Sequence, residues 1–177
     1  MIKAAFCDDD LSVLNELHVL MDNYRVERNQ EITYTAFHSP LELIAQIEKG
    51  MRFDILFLDV LMPGVNGIET AQEIREYDSA MKIIFLTSSA EYAVESYTVN
   101  AYFYQLKPIW PESFYRLMDS VLKECAQEQR RSLILRCKSG ITQISLDRLM
   151  YCEVQGRTLV FHMQNGEQLE SVGSMDD

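Results

Sequence analysis

Short apolar runs alternate with amphipathic stretches over the first 130 residues, and this alternation constrains the fold more than any other feature of the sequence. The runs at 55–58 and 83–86 are apolar throughout, which is typical of strands buried on both faces. The predicted strands are 2–7, 32–37, 55–58, 83–86 and 101–106, and the predicted helices are 11–27, 40–48, 68–77, 91–99 and 111–129. Five β-α units in this order predict an α/β fold with a doubly wound, five-stranded parallel sheet.

The pattern changes after residue 129, where short strand-like runs are separated by turn signals. The runs are 132–138, 143–146, 149–154, 158–163 and 168–172, and the turns include Ser139-Gly140, Gln155-Gly156 and Asn165-Gly166. Asn-Gly between two apolar runs is a strong hairpin signal. We therefore expect two domains, an α/β domain over 1–128 and a partial β-rich segment over 129–177.

The negative charge is concentrated in the first domain. The chain has a formal net charge of −11, yet residues 131–177 carry five basic and six acidic side chains, so that part is close to neutral. An acidic body repels nucleic acid. Any contact with DNA is therefore expected from the C-terminal segment.

The four cysteines and the apolar runs indicate the compartment. The cysteines form no C-x-x-C pair, which favours reduced thiols over a zinc site, and Cys7 is expected to be buried. No apolar run reaches the roughly 20 residues that span a bilayer, and no signal peptide precedes the first acidic residues. The sequence predicts a cytoplasmic protein without a membrane contact.

Polar side chains stand where the predicted strands end. Strand one ends in Asp8-Asp9-Asp10, strand three in Asp59, strand four in Thr87 and strand five in Lys107-Pro108. Each is ordinary alone, and Asp10 is predicted to cap the first helix. In a doubly wound sheet, however, the carboxyl ends of the strands share the edge at which ligands bind. These side chains are therefore expected to converge.

Such a constellation fits phosphoryl transfer. Nearby carboxylates repel one another unless a cation is present, and hard oxygen ligands favour Mg²⁺. We expect Asp59 to be the nucleophile that forms an aspartyl phosphate, and Thr87 and Lys107 to bind the phosphoryl oxygens. Asp9 is expected to bind the metal directly, Asp8 directly or through water, and Leu61 through its backbone carbonyl.

The motifs resemble those of response-regulator receiver domains. They are Cys7-Asp8-Asp9-Asp10, the run from Phe57 to Gly64 around Asp59, Phe85-Leu86-Thr87-Ser88 and Leu106-Lys107-Pro108, with Gly67 eight residues after Asp59. The resemblance covers about residues 1–125. It implies the flavodoxin-like receiver fold, a sensor histidine kinase as phosphodonor and Mg²⁺ as cofactor. It also implies a signalling protein that assists its own phosphotransfer rather than an enzyme.

The resemblance further implies a switch. Thr87 and Tyr104 match the two residues that reorient on phosphorylation in that family; the alternative for Tyr104 is a core aromatic beside Tyr102 and Phe103. The surface of the fourth helix, fifth strand and fifth helix would then change, and related proteins dimerise through it. Tyr92, Tyr97 and Tyr115 either anchor such an interface or are ordinary half-buried tyrosines.

Residues 132–177 resemble the first half of a LytTR DNA-binding domain. The similarity rests on residues 133–137, 144–153, the strand 158–163 and the turn Asn165-Gly166. Arg157 lies near a DNA-contacting position of that family, although an exposed turn arginine is equally compatible. A complete LytTR domain is about twice as long, so we expect this domain to be truncated.

Three functions remain open from the sequence. The first is a phosphorylation-controlled transcription regulator of the LytTR class that binds promoter DNA. The second is a receiver that acts only through protein contacts because its DNA-binding domain is incomplete. The third, an aspartate-nucleophile phosphatase, is disfavoured because such enzymes carry an Asp two residues after the nucleophile, and Leu61 occupies that position.

Overall fold

The computed structural model describes residues 1–130, 132–137 and 140–172. The predicted strand end at Lys138 and the final residues 174–177 fall outside this range. The chain divides into two compact units, Met1–Asp119 and Ser120–Asp177. The division falls within the last long helix, and the predicted boundary between residues 128 and 129 stays a prediction.

The first unit contains the predicted parallel sheet. Its elements are β1 (Ile2–Cys7), α1 (Leu11–Arg28), β2 (Ile32–Phe37), α2 (Pro40–Glu48), β3 (Ile55–Leu58), α3 (Gly67–Tyr77), β4 (Lys82–Thr87), β5 (Phe103–Leu106) and the part of α4 (Pro111–Arg130) up to Asp119. The strand order is β2-β1-β3-β4-β5, and every pairing is parallel. This is the flavodoxin-like order, in which ligands bind beyond the carboxyl ends of the strands. The predicted fold class is confirmed.

Buried strands position this edge. All four residues of β3 are buried, as are the last four of β1 and the last five of β4. A shift of a strand along its neighbour would expose apolar side chains, so the pairing register of these strands is fixed. The positions of the residues that follow each strand are fixed with it. A short hairpin of Leu61–Met62 and Val65–Asn66 then leads into α3.

The helix predicted over 91–99 is confirmed only over its second half, and there as a 3₁₀ helix. Residues 91–94 form turns, and only Glu95–Val99 form a short 3₁₀ helix, which ends at Asn100 with φ 50°. The hydroxyls of Ser96 and Thr98 donate to the carbonyls of Ala93 and Glu95, three residues earlier, at 2.6 and 2.7 Å. Such side-chain bonds compete with the α-helical pattern, and the β-branched residues here add little helix propensity.

The second unit is an antiparallel sheet. Its strands are β6 (Ser132–Cys137), β7 (Gly140–Ser145), β8 (Leu149–Gln155), β9 (Thr158–Met163) and β10 (Gln168–Val172), in the order β8-β9-β10-β6-β7. Leu135, Ile144, Phe161 and Met163 form its small buried cluster. The prediction of five strands with an Asn165-Gly166 turn is confirmed, although β7 begins before the predicted residue 143.

The described residues contain no helix that is both long and apolar enough to cross a bilayer. The four cysteines are free thiols, and Cys7 is buried as expected. Burial, together with the neighbouring acidic groups, raises the pKa of the Cys7 thiol to about 12. Cys7 is therefore an inert core residue at neutral pH.

One buried polar contact joins α1 to α4 within the first unit. The hydroxyl of Tyr24, which is 1% exposed, donates to Asp119 Oδ1 at 2.7 Å. Arg28 approaches the other oxygen of Asp119 at 3.2 Å. Burial, and then the Asp119 carboxylate, raise the pKa of Tyr24, so its hydroxyl stays protonated and can donate.

We predict that Tyr24→Phe lowers the free energy of unfolding by about 1–2 kcal/mol, because it removes a partly buried bond to a charged acceptor. Tyr77→Phe is the matched control: its hydroxyl bonds Glu48 at 3.1 Å, but Tyr77 is 43% exposed. Urea denaturation followed by circular dichroism measures both. Equal midpoints for the two variants would contradict the prediction.

Gly67, the first residue of α3, lies against the backbone of Asp59. A Cβ at this position would lie 2.1 Å from the Asp59 carbonyl oxygen and 2.7 Å from Val60 Cα. The Gly67 N–H also donates to the Val60 carbonyl at 2.9 Å. Only glycine allows α3 to approach the end of β3 this closely.

We predict that Gly67→Ala destabilises the first unit by about 1–3 kcal/mol or more, because backbone atoms must move to relieve the clash. Gln72→Ala, an exposed substitution in the same helix, should change stability by less than about 0.5 kcal/mol. Denaturant unfolding of both variants checks this. An unchanged midpoint for Gly67→Ala would show that the close approach is absent in solution.

Candidate functional site

Asp8 is the first acidic residue after β1. It is 1% exposed, and its Oδ1 accepts the backbone N–H of Asp10 at 3.0 Å. Asp10 in turn accepts the N–H of Ser12 at 2.8 Å and caps α1, as predicted. These local bonds hold Asp8 inward, whereas Asp9 is exposed.

Asp59 lies directly beyond β3. Its backbone N–H donates to the Cys7 carbonyl at 3.0 Å, which extends the pairing of β1 with β3 by one residue. Its side-chain Oδ1 accepts the N–H of Leu61 at 3.1 Å, and the residue is 5% exposed. The carboxylate is therefore oriented by the start of the hairpin, with Oδ2 left for another partner.

Lys107 supplies that partner and joins the two buried carboxylates. Its Nζ lies 2.6 Å from Asp8 Oδ2 and 2.7 Å from Asp59 Oδ2. The backbone N–H of Lys107 donates to the Thr87 carbonyl at 2.9 Å, so the lysine also continues the pairing of β4 with β5. Strand ends that are distant in sequence thus meet at one point.

The ammonium group only partly compensates the negative charge. Burial alone would lower the pKa of Lys107, but its bonds to Asp59 and Asp8 outweigh burial and raise the pKa. Burial raises the pKa of the Asp8 carboxyl despite the bond from Lys107. Oxygens of Asp8, Asp9 and Asp59 lie within 4.8 Å of one another. Three carboxylates and one ammonium leave an excess of negative charge that fits a divalent cation such as Mg²⁺.

Thr87 and Tyr104 are linked through one loop residue. Thr87 is fully buried at the end of β4, and its Oγ1 accepts a long 3.5 Å bond from the N–H of Ser89. The Tyr104 hydroxyl donates to the Ser89 carbonyl at 2.6 Å, and its ring lies 6.0 Å from that of Phe85. Tyr104 is only partly buried, so both alternatives for it, switch and core aromatic, have structural support.

The sequence did not single out Ser89. Its role is carried by its backbone N–H and carbonyl, which every residue possesses, so no residue type signals it. Leu61 is exposed, and its role as a metal ligand through the backbone carbonyl stays a prediction. An open cleft next to the acidic group is lined mainly by Val60, the hairpin residues and Tyr92.

The remaining predicted residues lie elsewhere. Tyr97 is 82% exposed, whereas Tyr92 packs partly against the core and Tyr115 bonds Glu27 at 3.1 Å. The three do not form one exposed patch. Arg157 is exposed in the two-residue turn between β8 and β9, after Gly156 with φ +67°.

Comparison with known proteins gives the family. The family model that describes the response regulator receiver domain matches residues 5–119 of this chain. The sensory transduction protein LytT of Oceanobacillus iheyensis is 30% identical over 125 residues, which cover 67% of this chain and 51% of that protein. The transcriptional regulatory protein NatR of Bacillus subtilis is 24% identical over 178 residues, which cover 100% of this chain and 74% of NatR. The chain therefore spans about half of LytT.

A solved structure agrees with the fold. The response regulatory domain of MrkE from Klebsiella pneumoniae superposes with a TM-score of 0.63 at 23% identity, covering 71% of this chain and 99% of that domain.

A further relative by sequence is accessory gene regulator protein A of Staphylococcus epidermidis, which is 28% identical over 189 residues that cover 99% of this chain and 79% of that protein. On the family match and the fold together, the chain belongs to the response regulator receiver domain family of two-component systems.

Proposed function

We propose that Asp59 accepts a phosphoryl group from a sensor histidine kinase and that the chain passes this signal on as a change of its surface. The observation that carries the proposal is the convergence of Asp8, Asp59 and Lys107, with the lysine Nζ at 2.6 and 2.7 Å from the two carboxylates. A buried acidic pair that shares one ammonium matches what an aspartyl phosphate requires.

The transfer follows from the positions of these groups. An Asp59 carboxylate oxygen attacks the phosphorus of a phosphohistidine, the P–O bond forms, and the P–N bond breaks. The electron pair of that bond stays on the imidazole, which then takes up a proton. Lys107 is already within hydrogen-bonding distance of Asp59 Oδ2, so its ammonium group would neutralise charge on the phosphoryl oxygens, and the Thr87 hydroxyl would donate a hydrogen bond to one of them.

The acidic edge would hold Mg²⁺ during this step. Asp8, Asp9, Asp59 and the backbone carbonyl of Leu61 are the proposed ligands. When bound, the ion would reduce the repulsion that an incoming phosphoryl group meets at these carboxylates. Asp8 also keeps Lys107 at the site by its 2.6 Å contact, so the lysine needs no rearrangement when the phosphoryl group arrives.

The phosphoryl group would act on the rest of the unit through Thr87. The 3.5 Å bond from Ser89 to Thr87 Oγ1 is weak, so the hydroxyl can turn to a phosphoryl oxygen. Ser89 is then free to shift, and the Tyr104 bond to its carbonyl shifts with it. The exposed surface near β5 changes in consequence, and a homodimer through this face is the proposed readout.

We further propose that the signal controls transcription in the cytoplasm through a LytTR-type DNA-binding domain to which β6–β10 belong. NatR, a transcriptional regulatory protein by name, aligns along the whole chain and supports this output. Arg157 is the proposed DNA contact, since a turn arginine between two strands is free to reach a phosphate.

A specific observation favours the second candidate, a receiver that acts through protein contacts alone. Ile134 and Ile141 are 71% and 76% exposed on neighbouring strands. Because Ile134 pairs with Gln143 and Ile141 with Arg136, the two isoleucines share one face of the sheet. Exposed apolar pairs of this kind fit a protein surface better than a phosphate backbone.

We predict that Asp59→Asn abolishes Mg²⁺-dependent labelling by radioactive acetyl phosphate, because the amide cannot serve as the nucleophile. Asp54→Asn is the control, since Asp54 precedes the opposite end of β3 and its Oδ2 accepts the Lys3 N–H at 2.7 Å. The control should label at a rate within about twofold of the parent. Labelling that survives in Asp59→Asn would remove Asp59 from the proposal.

We predict that Arg157→Gln weakens binding to a pool of random 30-base-pair duplexes and lowers the salt dependence by about one phosphate contact. Arg28→Gln, which changes an exposed arginine of the first unit, should leave both unaffected. Fluorescence anisotropy at several salt concentrations measures the affinity and its salt dependence for both variants.

The same anisotropy titration with DNA distinguishes the two proposed functions, control of transcription and action through protein contacts alone. If the parent chain shows no DNA binding at 50 mM salt, which is about the low end of the range used for such assays, the transcription proposal fails for this chain. Sedimentation of Ile134→Glu against the parent then tests the protein-contact alternative. A lower association constant for the variant would support it.

A further inference from the structure

Arg75 in α3 makes a set of contacts that the phosphotransfer chemistry does not use. Its Nε donates to the Val99 carbonyl at 2.8 Å, and its Nη2 donates to the Asn100 carbonyl at 3.1 Å. Its Nη1 donates to the Met81 and Asp78 carbonyls at 2.8 and 3.1 Å. One guanidinium thus joins α3, the turn before β4 and the end of the 3₁₀ helix.

The acceptors explain why an arginine stands here. Val99 and Asn100 end a short 3₁₀ helix, and carbonyls at a helix end have no partner within the helix. The planar fork of a guanidinium reaches several carbonyls at once, which a lysine ammonium does not do. Burial lowers the pKa of Arg75, with Asp78 opposing part of the change, but an arginine stays charged at neutral pH.

The opposite end of the same segment has a different kind of attachment. Ser89 is held by neutral hydrogen bonds. Its carbonyl accepts from the Tyr104 hydroxyl at 2.6 Å, its N–H donates to Thr87 Oγ1 at 3.5 Å, and its Oγ accepts the Glu91 N–H at 3.2 Å. Residues 90–98 between the two attachments consist of turns and the 3₁₀ helix. Bonds from a charged donor are roughly twice as strong as neutral ones. Two bonds from the Arg75 guanidinium hold Val99 and Asn100, whereas the bonds at the Ser89 end are neutral.

We propose that Arg75 is a fixed anchor that confines the switch movement to residues 90–98, so that the segment opens at its Ser89 end and not at its Val99–Asn100 end. The inference rests on the proposed function in one respect, namely that phosphorylation of Asp59 is the signal that releases Tyr104. Val94 and Tyr97, which are 78% and 82% exposed, lie within the confined segment. The change is therefore delivered at the exposed residues of this segment.

Amide hydrogen exchange of the full chain, followed by NMR, tests the anchor. The reporters at the anchored end are the N–H groups of Ala101 and Tyr102, which donate to Ser96 and Ile83. Arg75→Gln should accelerate their exchange by about tenfold or more, since it removes four charge-assisted bonds. Arg75→Lys should not restore slow exchange.

Tyr104→Phe tests the releasable end without any phosphodonor. It should accelerate exchange of the Ala93, Ser96 and Tyr97 amides, whose bonds lie between the two attachments, and leave the Tyr102 amide within about twofold of the parent. If Tyr104→Phe accelerates Tyr102 as much as Ser96, the segment moves as a whole and the proposal is overturned.

Arg52→Gln controls for general loosening. Arg52 also donates to backbone carbonyls, those of Ile47 and Met51 at 3.1 Å, but at the end of α2. It should leave the Ala101 and Tyr102 amides unchanged. Equal acceleration in Arg52→Gln and Arg75→Gln would overturn the anchor, as would unchanged exchange in Arg75→Gln.

Exchange measured with acetyl phosphate and Mg²⁺ then distinguishes a failure of the anchor proposal from a failure of the proposed phosphorylation of Asp59. In the parent, exchange should change at 90–98 and stay constant at 101–102; in Arg75→Gln, the change should extend to 101–102. A parent that is not labelled at all refutes phosphorylation of Asp59, while the exchange of the unphosphorylated variants still decides the anchor. A parent that is labelled and changes at 101–102 overturns the anchor.

Discussion

The bridge from Lys107 to Asp8 and Asp59 is the interaction on which the rest of the first unit depends. Two carboxylates that are almost fully buried cost several kcal/mol each if they stay charged without partners. The ammonium group offsets part of that cost, and Asp9 leaves the edge still acidic. The remaining negative charge favours a further cation at this edge. The charge that makes burial of these carboxylates costly is therefore the same charge that the proposed Mg²⁺ would neutralise.

The sequence predicted this convergence because a parallel sheet converts strand order into position. Asp8, Asp59 and Lys107 follow apolar runs, and buried runs of this kind allow one register only. The main-chain bonds from Asp59 to Cys7 and from Lys107 to Thr87 continue the strand pairings and bring the side chains together. Residue type and spacing sufficed for these positions, since side-chain identity carries the chemistry.

Other features could not be predicted because main-chain atoms or local competition carry them. Ser89 acts through its N–H and carbonyl, and Arg75 binds carbonyls of residues that differ from it by up to 25 positions, so no local pattern marks either. The apolar spacing of 91–99 fits an α-helix, but Ser96 and Thr98 hydroxyls bond carbonyls three residues back and favour the tighter 3₁₀ turn. In the second unit the Asn165-Gly166 turn was predictable, because Gly166 has φ +82°, which glycine adopts without strain.

A switch needs one contact that breaks and another that does not. The neutral bond from Tyr104 to Ser89 contributes about 0.5–1.5 kcal/mol, which the differential interaction of a ligand or phosphoryl group, typically about 1–3 kcal/mol, can overcome. The two bonds of the Arg75 guanidinium to the Val99 and Asn100 carbonyls come from a charged donor and are stronger than that neutral bond, so in the proposed switch the same signal would leave the Val99–Asn100 end in place. If both ends had comparable strength, phosphorylation would loosen the whole segment and no defined surface would result. In the proposed switch, the asymmetry between a hydroxyl and a guanidinium would give the released state a defined shape that a partner can recognise.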